Sequence, residues 1–322
     1  MSILVTGGAG YIGSHVTRLL QQAGQKVVVV DNLTSGILER IGDVPLIRMD
    51  LAQPDAEELL TAAMREHQVT SVIHFAAQKQ VGVSVERPEF YYDQNVSGMR
   101  ALLSAMRTVG ADRLVFSSSA AAYGMPDVDT VSETLACAPI NPYGETKLVG
   151  EWMSRASAKA WGLRVANLRY FNVAGAGWPD LADTAVLNLV PIVFSALAAG
   201  KKPIVFGKDY PTSDGTCIRD YVHVLDLAKA HLSALEYLGN DVREFDVFNV
   251  GTGSGSSVLE VLEAVRKVSG IDFEVDFAKR RAGDPPALCA DVTRINRVLG
   301  WKAEHNLTDI VESAWQAFAA KK

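Results

Sequence analysis

The chain has 322 residues, 48% of them hydrophobic and 21% charged, the balance of a globular protein with a sizeable core and little disorder. Its formal net charge of −6 argues against a nucleic-acid surface, which needs clustered Lys and Arg. Cys137, Cys217 and Cys289 are far apart and form no CxxC pair, and the histidines show no HExxH or similar spacing, so neither a disulfide framework nor a metal site is expected and a reducing cytoplasm is.

The first segment, MSILVTGG, has no basic stretch ahead of a longer apolar one, so no secretory signal is expected. A β-branched run at residues 3–6 gives way to GGAGYIGSH at 7–15, and then to an amphipathic stretch carrying Ile12, Val16, Leu19, Leu20 and Ala23. A strand that ends in close-spaced glycines and turns straight into a helix aims unpaired N–H groups and the positive end of a helix dipole at one point. A diphosphate suits that point. Gly7, Gly10 and Gly13 have the spacing GxxGxxG, one residue wider than the GxGxxG of the most familiar dinucleotide turn. A second apolar run, 27–30, ends in Asp31, about 20 residues beyond the glycines, where a carboxylate accepts from ribose hydroxyls. No Lys or Arg follows before Arg40 to offset a 2′-phosphate, so NAD is expected over NADP.

Strand-like runs at 46–48, 71–75, 114–117 and 164–169 alternate with helical periodicity at 55–66, 89–109 and 143–161. Such alternation predicts an α/β fold, a doubly wound, Rossmann-like parallel sheet covered on both faces, over residues 1–175. From 176 to 322 the rhythm is less regular, and a smaller C-terminal α/β lobe is expected there, with the chain returning to the large sheet near 221–226 and 245–250. The apolar stretch 186–199 reads as one helix. It is too short to span a bilayer and is interrupted by Asn188, Pro191 and Ser195. GTGSGSS at 251–257 also follows a strand-like run, but Ser257 and Glu260 form a capping box that starts the next helix without any ligand. No Walker-type Lys accompanies it, so it reads as a structural turn.

Tyr143 and Lys147 stand four apart, one helical turn apart on the same face. A nearby ammonium is expected to lower the tyrosine pKa from about 10 and make the phenol a general base. The run Ser117, Ser118, Ser119 ends a strand at the carboxyl edge of the sheet, where such folds bind ligands. Alone, these serines read as turn or cap residues. Beside the Tyr/Lys pair, Ser119 reads as a hydroxyl that holds or relays a proton.

The glycine turn, the strand-end serine and YxxxK together resemble the extended short-chain dehydrogenase/reductase family, the NAD-dependent epimerases and dehydratases. DNL at 31–33, HFAAQKQVGVSVERP at 74–88, YYDQNVSG at 91–98, SSSAAAYG at 117–124, LRYFNVAGA at 168–176 and FGKDYPTSDGTCIRDYVHVLDLA at 206–228 extend the likeness over nearly the whole chain, toward the UDP-hexose 4-epimerases within that family. The resemblance implies that Tyr11, Ile12, Asn32, Phe75, Ser117 and Tyr170 join the glycines, Asp31, Tyr143 and Lys147 around NAD. It implies that Asp50 and Leu51 meet the adenine, that Ala76, Ala77 and Lys79 line the nicotinamide side, and that Asn95 lies close by. Without it, Lys79 and Asn95 read as surface residues.

For a UDP-hexose, the resemblance implies that Asn172, Asn188 and Leu189 hold the phosphates and neighbouring groups. Val205 and Phe206 would frame the uracil, and Arg219, Arg281 and Asp284 would grip the diphosphate and ribose. Lys79, Ser119, Tyr143, Tyr221 and Leu288 would complete the substrate set. The implied reaction interconverts UDP-galactose and UDP-glucose: hydride leaves C4, the 4-ketose turns, and the same hydride returns to its other face. A 4,6-dehydratase or oxidoreductase is the main rival, but dehydratases carry acidic residues after the strand-end Ser or Thr, whereas Ala120, Ala121 and Ala122 follow Ser119. A non-catalytic NAD- or UDP-sugar-binding protein would have no use for Tyr143 and Lys147 in register with Ser119. Leu288 departs from the bulky Tyr or small Cys of the family, which opens UDP-N-acetylglucosamine as a second substrate. The resemblance also implies a homodimer through helices near 89–109 and 143–158.

Overall fold

Valine at every position from 27 to 30 leaves that strand no polar face, and all five residues of Val27–Asp31 are buried in the computed structural model, which describes residues 1–240, 245–281 and 283–320. Seven strands form the main sheet: β1 (Ser2–Thr6), β2 (Val27–Asp31), β3 (Leu46–Arg48), β4 (Val69–His74), β5 (Arg113–Ser119), β6 (Arg164–Tyr170) and β7 (Phe245–Val250). Their order is β7-β6-β5-β4-β1-β2-β3. β1 runs parallel to β2 and β4, β2 to β3, and β4 to β5. The register sets Thr6 beside both Val30 and His74, and His74 beside Phe116, so these carboxyl ends share one edge. The strand order reverses at β1 and β4, the switch point at which doubly wound sheets bind ligands.

Along the chain the helices are α1 (Tyr11–Gln22), α2 (Ala56–Glu66), α3 (Val81–Glu86), α4 (Pro88–Tyr92), α5 (Gly98–Val109), α6 (Pro142–Trp161), α7 (Leu189–Ala198), α8 (Val224–Gly239), α9 (Val258–Ser269), α10 (Thr293–Leu299) and α11 (Leu307–Ala319). The single helix expected over 89–109 is instead α4 and α5 joined by a wider π-type turn at Asp93–Ser97, and α3 precedes it unforeseen. Asn95, inside that wider turn, has partners far away in sequence.

Two compact units result: Met1–Gly124, Ala136–Arg169 and Ala228–Phe248 in one, Met125–Leu135, Tyr170–Leu227 and Asn249–Lys322 in the other. The first buries Leu60 and Met64 of α2 against Leu102 and Met106 of α5, with Leu4, Val72 and Leu114 of the sheet in the same cluster. Each such side chain contributes about 1.5–3 kcal/mol relative to exposure.

The second unit has its own sheet, in which Ile218–His223 pairs with Gly255–Ser257, Ala287–Ala290 and Asn172–Ala174, and Ala287–Ala290 with Thr130–Val131. The expected return to the large sheet near 221–226 is therefore corrected: that strand belongs to the second sheet, where it has partners on both sides. Only the strand at 245–250 rejoins the first. Val190, Phe194, Val261, Val265 and Ile310 form the second core, with Phe194 edge-on to Trp315 at 5.1 Å.

Candidate active site

The turn after β1 is built for close approach. Gly7 has φ +70°, and a Cβ there would lie 2.8 Å from the Ala76 amide nitrogen; at Gly13 it would lie 2.2 Å from the Gly7 carbonyl oxygen. Gly10 caps α1 without a side chain, and no acidic residue occupies the first turn, so the dipole end is left for an external anion. Asp31 is buried at the end of β2 and accepts from Ala9 N at 3.0 Å and Leu33 N at 2.9 Å, one bond on each oxygen. Burial raises its pKa against those two bonds. Each oxygen keeps a second lone pair. Asn32 donates to Asp50 at 3.3 Å, Asp50 accepts from Ala52 N at 2.9 Å, and Leu51 is buried under Gly98. Tyr11 is buried and Ile12 half-buried at the start of α1.

After β4 the chain is held rather than loose. Asn95 accepts from Gln78 N at 2.7 Å, donates back to the Gln78 carbonyl at 3.0 Å and donates to Thr146 at 2.9 Å. It is buried and works as a clamp on the segment that holds Phe75, Ala76 and Ala77, whereas Lys79 is exposed. Thr6 meets His74 Nδ1 at 2.6 Å, and burial, with the charge of Lys147, pushes His74 down to about 3. His74 is thus neutral at physiological pH.

α6 starts where Asn141 caps Gly144 N at 2.9 Å and Pro142 occupies the first turn. Its face repeats every four residues as Tyr143, Lys147 and Glu151, and that face meets the three serines of β5. Tyr143 is close enough to Ser119 for the serine hydroxyl to lower its pKa, Lys147 Nζ donates to the Ser117 carbonyl at 2.8 Å, and the Ser118 hydroxyl donates to Glu151 at 2.5 Å. Ser119 also accepts from Ala121 N at 3.1 Å and so caps the turn Ala120–Tyr123 as well. The Ser117 hydroxyl is paired with His231 at 2.8 Å.

The expected lowering of the tyrosine pKa does not come from Lys147. Burial dominates and raises Tyr143, Tyr91 adds to the rise, and the Ser119 hydrogen bond alone opposes it. The ammonium lies 5.9 Å from the ring centroid and is engaged by the Ser117 carbonyl. Burial pushes Lys147 itself down to about 8.

The second unit gathers the residues expected around a uridine nucleotide. Arg219 Nη2 lies 3.4 Å from Asp284 and Arg281 Nε 2.9 Å from its other oxygen, so two guanidiniums share one carboxylate. Arg219 also donates to the carbonyls of Ile218 and Pro285, both at 2.8 Å, which fixes its direction. The Arg281 guanidinium stands 5.1 Å over the Phe206 ring, next to buried Val205. Leu288 is opposite Arg219 in the strand register, and buried Tyr221 opposite exposed Asn172. Leu189, Val205 and Tyr221 share one apolar cluster, while Asn188 precedes α7 and donates to Asp183 at 2.9 Å. Tyr170, last in β6, is half-buried. The helix expected over 186–199 is confined to α7, with Val186 and Leu187 exposed ahead of it.

The second glycine turn, at 251–257, already holds an anion. Asp220 accepts from Thr252 N at 2.7 Å, Gly253 N at 3.0 Å and Ala290 N at 3.2 Å, and a Cβ on Gly251 would lie 2.5 Å from its carboxylate. The capping box of Ser257 and Glu260 is formed.

Residues 3–251 match the NAD dependent epimerase/dehydratase family. The chain belongs to that family. It is 44% identical to the UDP-glucose 4-epimerase of Lactobacillus helveticus, over 98% of this chain and 96% of that one. Among solved structures, the UDP-glucose-4-epimerase from Stenotrophomonas maltophila with bound NAD and formylated UDP-arabinopyranose is 41% identical, with TM-score 0.92 over 100% of this chain and 98% of that one. The UDP-glucose 4-epimerase from Bifidobacterium longum in complex with NAD+ and UDP is 36% identical, with TM-score 0.91 over 100% and 99% of the two chains.

In this member of the NAD dependent epimerase/dehydratase family, several residues at the site carry no motif of their own. Glu151 and Arg169 form a buried bidentate pair at 2.9 and 2.6 Å, with side chains 1% and 5% exposed, under the serine run. The four-residue spacing after Lys147 is a signal for Glu151; Arg169 falls in the LRYFNVAGA segment with no role assigned to it, and nothing local marks His231 or Thr6. Among the described residues no three His, Cys, Asp or Glu side chains gather to hold a metal ion, and no helix is long and apolar enough to cross a membrane.

Proposed function

We propose that this chain interconverts UDP-galactose and UDP-glucose by inverting C4 of the hexose, with NAD as a resident cofactor. The observation that carries the reading is the face Tyr143, Lys147, Glu151 laid along Ser119, Ser117 and Ser118, which sets a phenol on a hydroxyl at the carboxyl edge of a dinucleotide-type sheet. The residues present fit NAD. Gly7 and Gly13 leave a cradle that any Cβ would fill, and Asp31 keeps acceptor capacity for a ribose with no cation nearby in sequence to welcome a 2′-phosphate. Asn32, Asp50 and Leu51 take the adenine end, while Phe75, Ala76, Ala77, Lys79 and Asn95, with Ser117 and Tyr170, take the nicotinamide end.

When bound, NAD⁺ supplies a cation and a hydride acceptor that becomes the donor for the return step. Tyr143 removes the proton from O4 of the hexose and gives it back, with Ser119 as its hydrogen-bonded relay. Because burial raises Tyr143, its phenolate depends on opposing charge, which the nicotinium of bound NAD⁺ would supply beside the Ser119 hydroxyl. Arg219 and Arg281 grip the diphosphate and Asp284 the ribose, so binding energy from the part that does not react keeps the 4-ketose in place while it turns. Asn172, Asn188, Leu189, Val205, Phe206, Tyr221 and Leu288 complete the sugar-nucleotide set. The alanines after Ser119 lack the acid a 4,6-dehydratase needs.

A second copy of the chain would seat against α4 and α6, where Tyr92 and Trp152 are 39% and 56% exposed. The three free thiols go with a cytoplasmic setting. The test is to incubate purified protein with UDP-galactose and no added cofactor. UDP-glucose should form without accumulation of reduced nicotinamide; stoichiometric NADH release, or a dehydrated sugar, overturns the reading. Tyr143→Phe should lose about 10²–10⁴-fold in rate while still binding UDP.

A further inference from the structure

Tyr210 falls in the 206–228 segment of the family resemblance, with no role assigned to it there. Its side chain is 4% exposed, yet among the described residues its hydroxyl has no hydrogen-bond partner. Native proteins rarely bury a phenol unpaired, because the hydroxyl loses water and gains nothing. The ring is held between two neighbours. The Arg280 guanidinium covers it at 4.3 Å and is itself tied to Asp209 at 2.8 Å. The other contact is with Gly207, directly after Phe206, where a Cβ would lie 2.5 Å from Tyr210 Cε2. The backbone is pinned too, Tyr210 N donating to the Gly215 carbonyl at 2.9 Å and its own carbonyl accepting from Thr212 N at 2.8 Å. The charges that act on the phenol are those of Asp284, Arg219 and Arg280, with the Cys217 thiol beside them.

A rigid donor without an acceptor thus stands beside one guanidinium that serves Asp284 and another that serves its own ring. Asp284 is already bonded by Arg281 and paired with Arg219. The missing acceptor is therefore an oxygen that the fold does not supply, and cations nearby favour an anionic one. We infer that Tyr210 is a substrate-binding residue, its hydroxyl donating a hydrogen bond to the diphosphate of the UDP-hexose. This inference rests on the UDP-sugar reading given above.

Tyr210→Phe separates this role from a structural one, because the two move stability and binding in opposite senses. Removal of an unpaired buried hydroxyl leaves the Tm of the ligand-free protein unchanged or raises it. Loss of a charge-assisted bond weakens UDP by about tenfold in titration calorimetry, with a parallel rise in KM, and leaves uridine affinity unaltered. UDP affinity equal to that of the unaltered protein overturns the assignment, as does a drop in Tm, which would mean that the hydroxyl serves the fold. Equal weakening of UDP and uridine overturns the diphosphate as its partner. Failure of the unaltered protein to bind UDP at all would instead overturn the reading on which this one rests.

Discussion

Replacing Glu151 by Met removes one half of a buried pair and leaves the Arg169 guanidinium without a counter-charge. The two side chains are 1% and 5% exposed and share two bonds, at 2.9 and 2.6 Å, so water cannot take over the lost contacts. Breaking such a pair costs about 3–5 kcal/mol, a large part of the 5–15 kcal/mol by which a typical domain is stable. Arg169→Met should cost a similar amount, since it strands the carboxylate with only the Ser118 hydroxyl. The double replacement puts two apolar side chains of similar volume into the site and is expected to lie within about 2 kcal/mol of the unaltered protein. Urea unfolding of all four proteins closes the cycle, with a coupling of several kcal/mol expected. Additive losses, or single losses below about 1 kcal/mol, would refute the idea that the pair locks α6 onto β5 and β6. Turnover should fall with either single change, because Ser118–Glu151 sets the register in which Tyr143 meets Ser119.

Lys147 offers a test in pH. Its pKa is pushed from 10.5 down to about 8, so between those values the unfolded chain binds the proton and the folded one does not, and stability from this group rises with pH. The penalty for burying the charge is fully present below pH 8 and amounts to about 3 kcal/mol. Lys147→Met should therefore be inactive yet more stable at pH 7, with the advantage gone near pH 10.5 in paired urea titrations; a difference independent of pH would sink this account. Gly13→Ala would push a methyl to 2.2 Å from the Gly7 carbonyl oxygen, so protein purified with that change should carry much less nicotinamide cofactor by absorbance and extraction. Full cofactor content would show that the turn does not hold it.

What could be read in advance was local. The glycine turn, Asp31 at the end of a valine strand, and the four-residue step from Tyr143 to Lys147 each follow from backbone geometry over one or two elements. The wider turn at Asp93–Ser97 does not, because Asn95 takes its partners from Gln78 and Thr146, one on a loop and the other on α6. The spacing places an ammonium near Tyr143, but only the folded structure shows that burial sets the phenol's pKa while the ammonium is engaged by the Ser117 carbonyl. The return expected near 221–226 names the wrong sheet: the strand there is Ile218–His223, α8 begins at Val224, and the local sequence does not name a strand's partners. Arg169 and Tyr210 owe their importance to groups distant in the chain, which no local pattern reports.

Two glycine-rich turns of similar outward form lie in this chain, and Asp220 makes them chemically unequal. A tethered carboxylate faces the Thr252 and Gly253 amides at an effective concentration of about millimolar or higher, and each bond it makes there is already formed when the fold closes. Free phosphates, nucleotides and the cofactor itself must compete with it at that turn, whereas at Gly7 to Gly13 the Asp31 carboxylate takes the Ala9 amide and leaves the helix end at Gly10 uncapped by any side chain. The second turn is in this sense self-inhibited.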